Sequence, residues 1–350
     1  MTKSPRIITL DGTVIFCVFI LTCLSTFTLR SIIPSLYPSY FMYLLFAGLF
    51  FYFILKIDFE IVEAFSHIFY IISIILLILP LIIGQVTRGA IRWIPIGSFT
   101  IQPSEIVRPF LFLFLAKYLT TYEMNLKHLI KTFFLFFIPF FLILIQPSLG
   151  VAMLTAIGFL GVLLASSIDK RYILGACLFL FLSLPLLWLV LAPYQKQRIF
   201  TFLDPSSDPR GAGYNSIQAM ITVGSGQIIG RGLGEGIQTQ LKFLPEKHTD
   251  FIFAAIAEEL GLIGATVLLL TLFILFWLLI VIVGKAKNPT ARAFSTGILM
   301  VLLSESFIHM GMNMGLLPIT GVPLPFVSAG GSALVGTAMS VAMTLNSKAE

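Results

Sequence analysis

Charge is what this sequence has least of: 11% of its 350 residues are charged, against 58% hydrophobic. A water-soluble globular surface is excluded, because soluble domains carry about 25% charged residues. The net charge of +6, from 22 Lys+Arg against 16 Asp+Glu, is scattered through short connections. It forms no basic stripe, which argues against a nucleic-acid partner. Cysteine is nearly as scarce. Cys17, Cys23 and Cys177 lie inside apolar runs with no Cys-x-x-Cys and no Cys/His ligand spacing, which disfavours disulfide and zinc readings and favours buried thiols. No small-residue cleavage site follows Lys3 and Arg6, so the first apolar run reads as a retained helix.

What the sequence does have is long apolar runs. In hydrocarbon every backbone N–H and C=O must be satisfied within the segment, so runs of about 20 apolar residues read as spanning helices. Ten segments qualify: Gly12–Leu29, Tyr40–Leu55, Ile61–Ile83, Glu105–Leu119, Thr132–Ile145, Val151–Ser167, Tyr172–Leu191, Phe251–Val283, Phe294–Met312 and Gly331–Leu345. Alternate assignment gives one side Lys3, Arg6, Lys56, Lys117, Lys127, Lys131, Lys170, Arg171, Lys285, Lys287, Arg292 and Lys348. The short loops of the other side hold only Arg30, Arg88 and Arg92. By the positive-inside rule both termini are cytoplasmic. The expected fold is an all-α polytopic membrane protein of about ten transmembrane helices. Residues 1–350 form one membrane domain, with a long extracytoplasmic loop, 194–249, between helices 7 and 8. The eighth segment, roughly 50 Å long at 1.5 Å per residue, exceeds a hydrocarbon core of about 30 Å, so its first turns stand proud or pack on protein.

Charges inside or beside such helices need a partner or a task. Glu105 and Arg108, i and i+3 on one helical face, can pair. They follow a basic, aromatic loop carrying Arg88, Arg92 and Trp93, and then Gln102-Pro-Ser104-Glu105. Two readings stand: the pair anchors the helix end, or the loop and pair receive a pyrophosphate or sugar substrate. Gly224, Gly226, Gly230, Gly232, Gly234 and Gly236 resemble a nucleotide loop, but no Gly-Lys-Ser/Thr follows, so a close-packed, flexible external loop is the better reading. In Glu246-Lys247-His248-Thr249-Asp250, Thr or Asp would cap the eighth helix, or Asp250 would be a general base. Glu305, His309 and Asn313 at i, i+4 and i+8 form a polar stripe, either a helix–helix seam or a cavity lining. His67 and His128 read as structural. The segment with Pro318, Pro323, Pro325, Gly330 and Gly331 breaks regular helix, which membrane depth tolerates only inside protein or at the surface.

Taken together, Gln102–Glu105, Phe202–Pro209, Gly211–Asn215, Pro245–Ala254, Ala257–Gly261 and Gly315–Phe326 resemble, in order and in loop position, the SEDS (shape, elongation, division and sporulation) family of peptidoglycan glycosyltransferases. The Thr-Gly-Val-Pro-Leu-Pro-Phe form is more similar to the elongation branch than to the division branch. The resemblance implies ten helices in the bacterial plasma membrane and polymerisation of lipid II, the undecaprenyl-pyrophosphate-linked disaccharide peptide. It also implies a class B penicillin-binding protein transpeptidase and elongation-complex membrane proteins as partners. Asp250 matches the family's catalytic aspartate and Glu105 its cavity glutamate. Arg108 stands where the family usually has Lys, Ser148 where Asp is typical, Ala329 in place of Tyr, and His309 in place of Asn.

The expected site therefore comprises Asp250 as the catalytic base, with Glu105, Arg108, Arg92, Gln102, Ser104, Arg210, Lys247, His248 and Thr249 on the substrate. Arg92, Arg108, Arg210 or Lys247 would neutralise the leaving diphosphate, with magnesium or manganese as an optional divalent cation and no organic cofactor. The rivals are a flippase for the lipid-linked precursor and a non-enzymatic scaffold for a transpeptidase.

Overall fold

The computed structural model describes residues 5–349 except 88–89, 97–98, 123–124, 167, 170, 173, 176–177, 179–181, 183–192, 209–210 and 242. Helices dominate: α1 (Pro5–Ile32), α2 (Tyr37–Lys56), α3 (Phe59–Ala64), α4 (Ser66–Ile83), α5 (Pro103–Ile106), α6 (Arg108–Thr121), α7 (Leu126–Ile145) and α8 (Leu149–Ala165). After them come α9 (Pro193–Leu203), α10 (Ala212–Ser225), α11 (Ile237–Gln240), α12 (Ile252–Gly284), α13 (Pro289–Asn313) and α14 (Gly331–Asn346). Among the described residues six stretches are long and apolar enough to cross a membrane: Leu10–Ile32, Pro34–Lys56, Ser66–Ile83, Lys127–Ile145, Ile252–Gly284 and Pro289–Asn313. The shortfall from ten has visible sources. Helices α6, α8 and α14 are 14, 17 and 16 residues long, and the expected segment Tyr172–Leu191 falls largely outside the described residues.

Several expected segments are interrupted. Pro109 has no N–H to give the Glu105 carbonyl, so the fourth segment splits into α5 and α6 at Val107, and Gly336 of α14 packs on the exposed Glu105 backbone. The third unwinds only locally at Phe65 (ψ 7°), because Phe69 N–H still donates to Phe65 O. The eighth breaks at Gly261 (φ 65°, ψ −160°). Within the expected outer loop lie α9, α10 and α11, so it carries regular structure. The basic loop before Gln102 is a small antiparallel sheet, β1 (Gln85–Thr87), β2 (Ala90–Ile96) and β3 (Phe99–Ile101), an addition to the all-α expectation. Its Ile-rich β2 suits a pleated strand.

Burial sorts the helices into inner and outer. Helix α6 is buried all round, from Leu111 to Ala116 without a break, and α14 is buried nearly throughout. Such helices belong in the centre of a bundle. By contrast α2, α4, α7 and α12 beyond Gly261 expose rows of Phe, Ile and Leu that suit a lipid boundary. Helices α8 and α13 meet where Gly161 faces Gly297, close enough that a Cβ on Gly161 would lie 3.0 Å from the Gly297 Cα.

One end of the bundle gathers the basic connections. Lys117 Nζ donates to Glu63 O (2.9 Å), Asn288 Nδ2 to Glu63 Oε2 (3.1 Å), Asn346 Nδ2 to Ile54 O (2.6 Å), and Lys348 pairs with Asp11. These are the loops that the charge count assigned to one side. The opposite end carries the sheet, the 244–251 turn and the Pro/Gly segment 314–330. The second half of that segment is held inside protein: Val322, Leu324, Phe326 and Val327 are buried, and Ser25 Oγ of α1 donates to Val327 O (2.5 Å), whereas Met314 and Leu316 are exposed.

Candidate functional site

The turn 244–251 is wound around a single acceptor. The Glu246 carbonyl takes the N–H groups of Thr249 (3.1 Å), Asp250 (3.1 Å) and Phe251 (3.3 Å), with Glu246 itself at φ 49°. Helix α12 starts after Phe251, which makes no side-chain cap bond. Capping is supplied from another helix. Asn313 Oδ1 of α13 accepts the Ala254 N–H (3.1 Å), while its Nδ2 donates to the carbonyls of Asp250 (3.0 Å) and His309 (2.7 Å). The capping alternative for Thr249 or Asp250 is therefore not what the structure adopts. The half-buried Asp250 carboxylate lies beside Gly321, where a Cβ would stand 3.5 Å from Oδ2. Gly321 has φ 69°, so a side chain there would be strained even though its Cβ would make only an ordinary contact with the acid.

The turn is tied to the Gln102–Arg108 region by residues 328–332. Ser328 Oγ donates to Thr249 O (2.8 Å), Ala329 N–H to His248 O (2.9 Å), and Ser332 Oγ accepts from Gln102 N–H (2.8 Å). Gln102 Nε2 in turn donates to Ser104 Oγ (3.1 Å). Sequence reasoning singled out neither Ser328 nor Ser332. The available signal was their placement just before and after a Gly-Gly pair between two helix patterns, where small polar residues bond backbone.

The expected Glu105–Arg108 pair is present and larger than expected. Arg108 Nη2 lies 2.5 Å from Glu105 Oε2, and Nη1 lies 3.7 Å from Glu305 Oε2 of α13, with all three residues buried. One guanidinium thus serves two carboxylates. The α13 stripe works as a seam: Glu305 faces Arg108, His309 Nδ1 donates to Val322 O (2.8 Å), and Asn313 caps α12. It links the buried triad to the Asp250 turn along one helix face.

Glu258 and Glu259 hold the glycine-rich loop. Glu258 Oε1 accepts from Gln238 N–H (2.9 Å) and Oε2 from Thr239 N–H (3.0 Å). Glu259 Oε1 accepts from Ser31 Oγ (2.5 Å) and Gly234 N–H (3.1 Å). Backbone groups that the Gly261 break releases are taken up by the same loop. Arg231 and Gly232 N–H donate to the carbonyls of Glu258 (2.8 Å) and Glu259 (3.0 Å), and Leu262 and Ile263 N–H donate to those of Gln227 (2.9 Å) and Ile228 (3.2 Å). The close packing expected of the loop is this repair of a broken helix.

The remaining candidates are spread around this frame. Arg92 is half-buried on β2, and Arg210 lies outside the described residues. Lys247 is buried and its ammonium donates to Thr239 O. His248 Nε2 is 4.0 Å from Glu246 Oε2. Among the described residues no three of His, Cys, Asp or Glu come together as a metal site.

Comparison with known proteins gives the family and the fold. The sequence profile of the FtsW, RodA and SpoVE family, described as cell cycle protein, matches residues 6–350. The peptidoglycan glycosyltransferase MrdB of Escherichia coli strain K12 is 41% identical over 276 residues, covering 78% of this chain and 75% of the relative. Stage V sporulation protein E of Bacillus subtilis strain 168 is 36% identical over 319 residues, covering 87% and 85%. A solved chain from work on the structural coordination of polymerization and crosslinking by a peptidoglycan synthase complex has a TM-score of 0.83 at 27% identity, covering 95% of both chains. The crystal structure of rod shape determining protein RodA from Thermus thermophilus has a TM-score of 0.71 at 24% identity, covering 95% of this chain and 94% of the other, a likeness of fold.

Proposed function

The chain belongs to the FtsW, RodA and SpoVE family, the SEDS family, and on that premise we propose that this multi-pass membrane protein is a peptidoglycan glycosyltransferase that polymerises lipid II with Asp250 as general base. The 4-hydroxyl of the acceptor sugar attacks the anomeric carbon of the donor. The new C–O bond forms as the bond to the undecaprenyl diphosphate breaks, and the hydroxyl proton passes to the Asp250 carboxylate. Arg92 and Arg210 are the proposed cations for the leaving diphosphate, and Arg108, held between two carboxylates, orders the wall of the site. Gln102, Ser104, His248 and Thr249 complete the proposed substrate surface.

One observation carries the assignment of the base. Asn313 does the capping that Asp250 would otherwise do, leaving a half-buried carboxylate on a fixed turn beside a glycine. A carboxylate rigidly placed on such a turn is what a general base requires. The same reading puts this end of the bundle outside the cell, supported by the basic connections at the other end. It takes residues 1–350 as one membrane domain in the bacterial plasma membrane. The likeness to a chain of a peptidoglycan synthase complex supports a crosslinking partner, proposed as a class B penicillin-binding protein of the elongation machinery. Among the described residues no three His, Cys, Asp or Glu side chains gather into a site that could hold the optional magnesium or manganese ion.

The test is Asp250→Asn in liposomes with purified lipid II. The amide keeps the shape but cannot take the proton, so glycan synthesis should fall by about 100-fold to 10,000-fold while lipid II binding persists. Glycan made within a few-fold of the parent rate would sink the assignment and favour the flippase or scaffold reading.

A further inference from the structure

Lys247 carries a positive charge three residues before the proposed base, and its ammonium is engaged inside the protein. It is 6% exposed, and its ammonium donates to the carbonyl of Thr239. Thr239 lies in α11, a helix of four residues. The other end of α11 is held by Glu258, whose two carboxylate oxygens accept the N–H groups of Gln238 and Thr239 at 2.9 and 3.0 Å. A carboxylate thus sits at the amide end and an ammonium at the carbonyl end, the order that helix polarity favours. Leu244 N–H donates to Gln238 O (3.3 Å), so the turn is sewn to α11 at a second point.

These contacts close a ring. Asp250 leads into α12, α12 carries Glu258, Glu258 holds α11, α11 holds Lys247, and Lys247 belongs to the turn that ends at Asp250. A ring fixed at both ends leaves the carboxylate little freedom to drift. A general base has to stay within hydrogen-bond reach of its proton, and a misplacement of about 1 Å can cost about 100-fold in rate. We propose that Lys247 and Glu258 are positioning residues that act through α11 to set the stance of Asp250, and that neither touches the substrate. This rests on the reading of Asp250 as the base.

The experiment measures lipid II polymerisation by the full chain in liposomes for Lys247→Met, Lys247→Arg, Glu258→Gln, the Lys247→Met/Glu258→Gln pair and Asp250→Asn. Lys247→Met should lower kcat about 10-fold to 100-fold, with KM and lipid II binding within about 2-fold of the parent. Lys247→Arg, which keeps a cationic donor, should recover to within about 3-fold of the parent. The pair should fall no more than about 3-fold below the worse single variant, because both breaks act on one ring. Should Lys247→Met fail to fold, Lys247→Gln, with a donor but a shorter reach, takes its place with the same kcat loss expected. A rise in KM at unchanged kcat would overturn the proposal by making Lys247 a substrate contact, and Arg performing no better than Met would overturn it too. Inactive Asp250→Asn beside near-parental Lys247→Met would leave the base standing and remove the ring's role. Active Asp250→Asn would remove the base and the ring's purpose together.

Discussion

Asp250 and Glu258 are acids eight residues apart at the same end of one helix, and they are treated in opposite ways. Around Glu258 the chain converges: two backbone N–H groups reach its oxygens, and Glu259 beside it takes Ser31 and Gly234. Around Asp250 other residues make the cap and the turn, with Asn313 capping the helix and Glu246 gathering the turn's amides. The first acid is a fastener. The second stands on a turn that other residues fasten, which suits the role proposed for it.

The comparison can be broken at its fasteners, beginning with the kink. Gly261→Ala puts a methyl 2.2 Å from the Gly230 nitrogen, at φ 65°, and should cost roughly 2–6 kcal/mol, read as an early thermal unfolding in detergent. Arg108→Ala leaves two buried carboxylates facing each other and should cost about 3–5 kcal/mol. The loss should exceed that of Glu105→Gln, since Arg108 serves Glu305 as well; equal losses would show the 3.7 Å contact to be idle. Glu258→Gln sets an amide against two backbone donors and should cost about 1–3 kcal/mol. Asn313→Ala removes a borrowed cap, and about 0.5–2 kcal/mol is expected from the same melting measurement.

The two regions were also unequally legible. Apolar run length gave the helical membrane character directly, and the i, i+3 spacing gave the Glu105–Arg108 pair. The third member, Glu305, is distant in sequence, so spacing could not assign it to Arg108. The motif marked Asp250, but whether it capped its helix depended on Asn313, again far along the chain. Breaks were hardest to foresee. Gly261 sits between Glu258-Glu259 and a long apolar run and reads as helix until a second segment, the glycine-rich loop, is seen to satisfy the backbone on either side of it. Proline gave more warning: Pro109 forbids the bond to Glu105, and the split into α5 and α6 follows from local chemistry.

The central claim is the proposal that Asp250 serves chemistry more than stability, and thermal unfolding of Asp250→Asn beside Glu258→Gln tests it most directly. The account predicts that Asp250→Asn melts within about 1 °C of the parent while Glu258→Gln melts several degrees lower, roughly 2–4 °C for each kcal/mol lost. An Asp250→Asn protein that melts as early as Glu258→Gln would contradict it, because the acid would then be one more fastener.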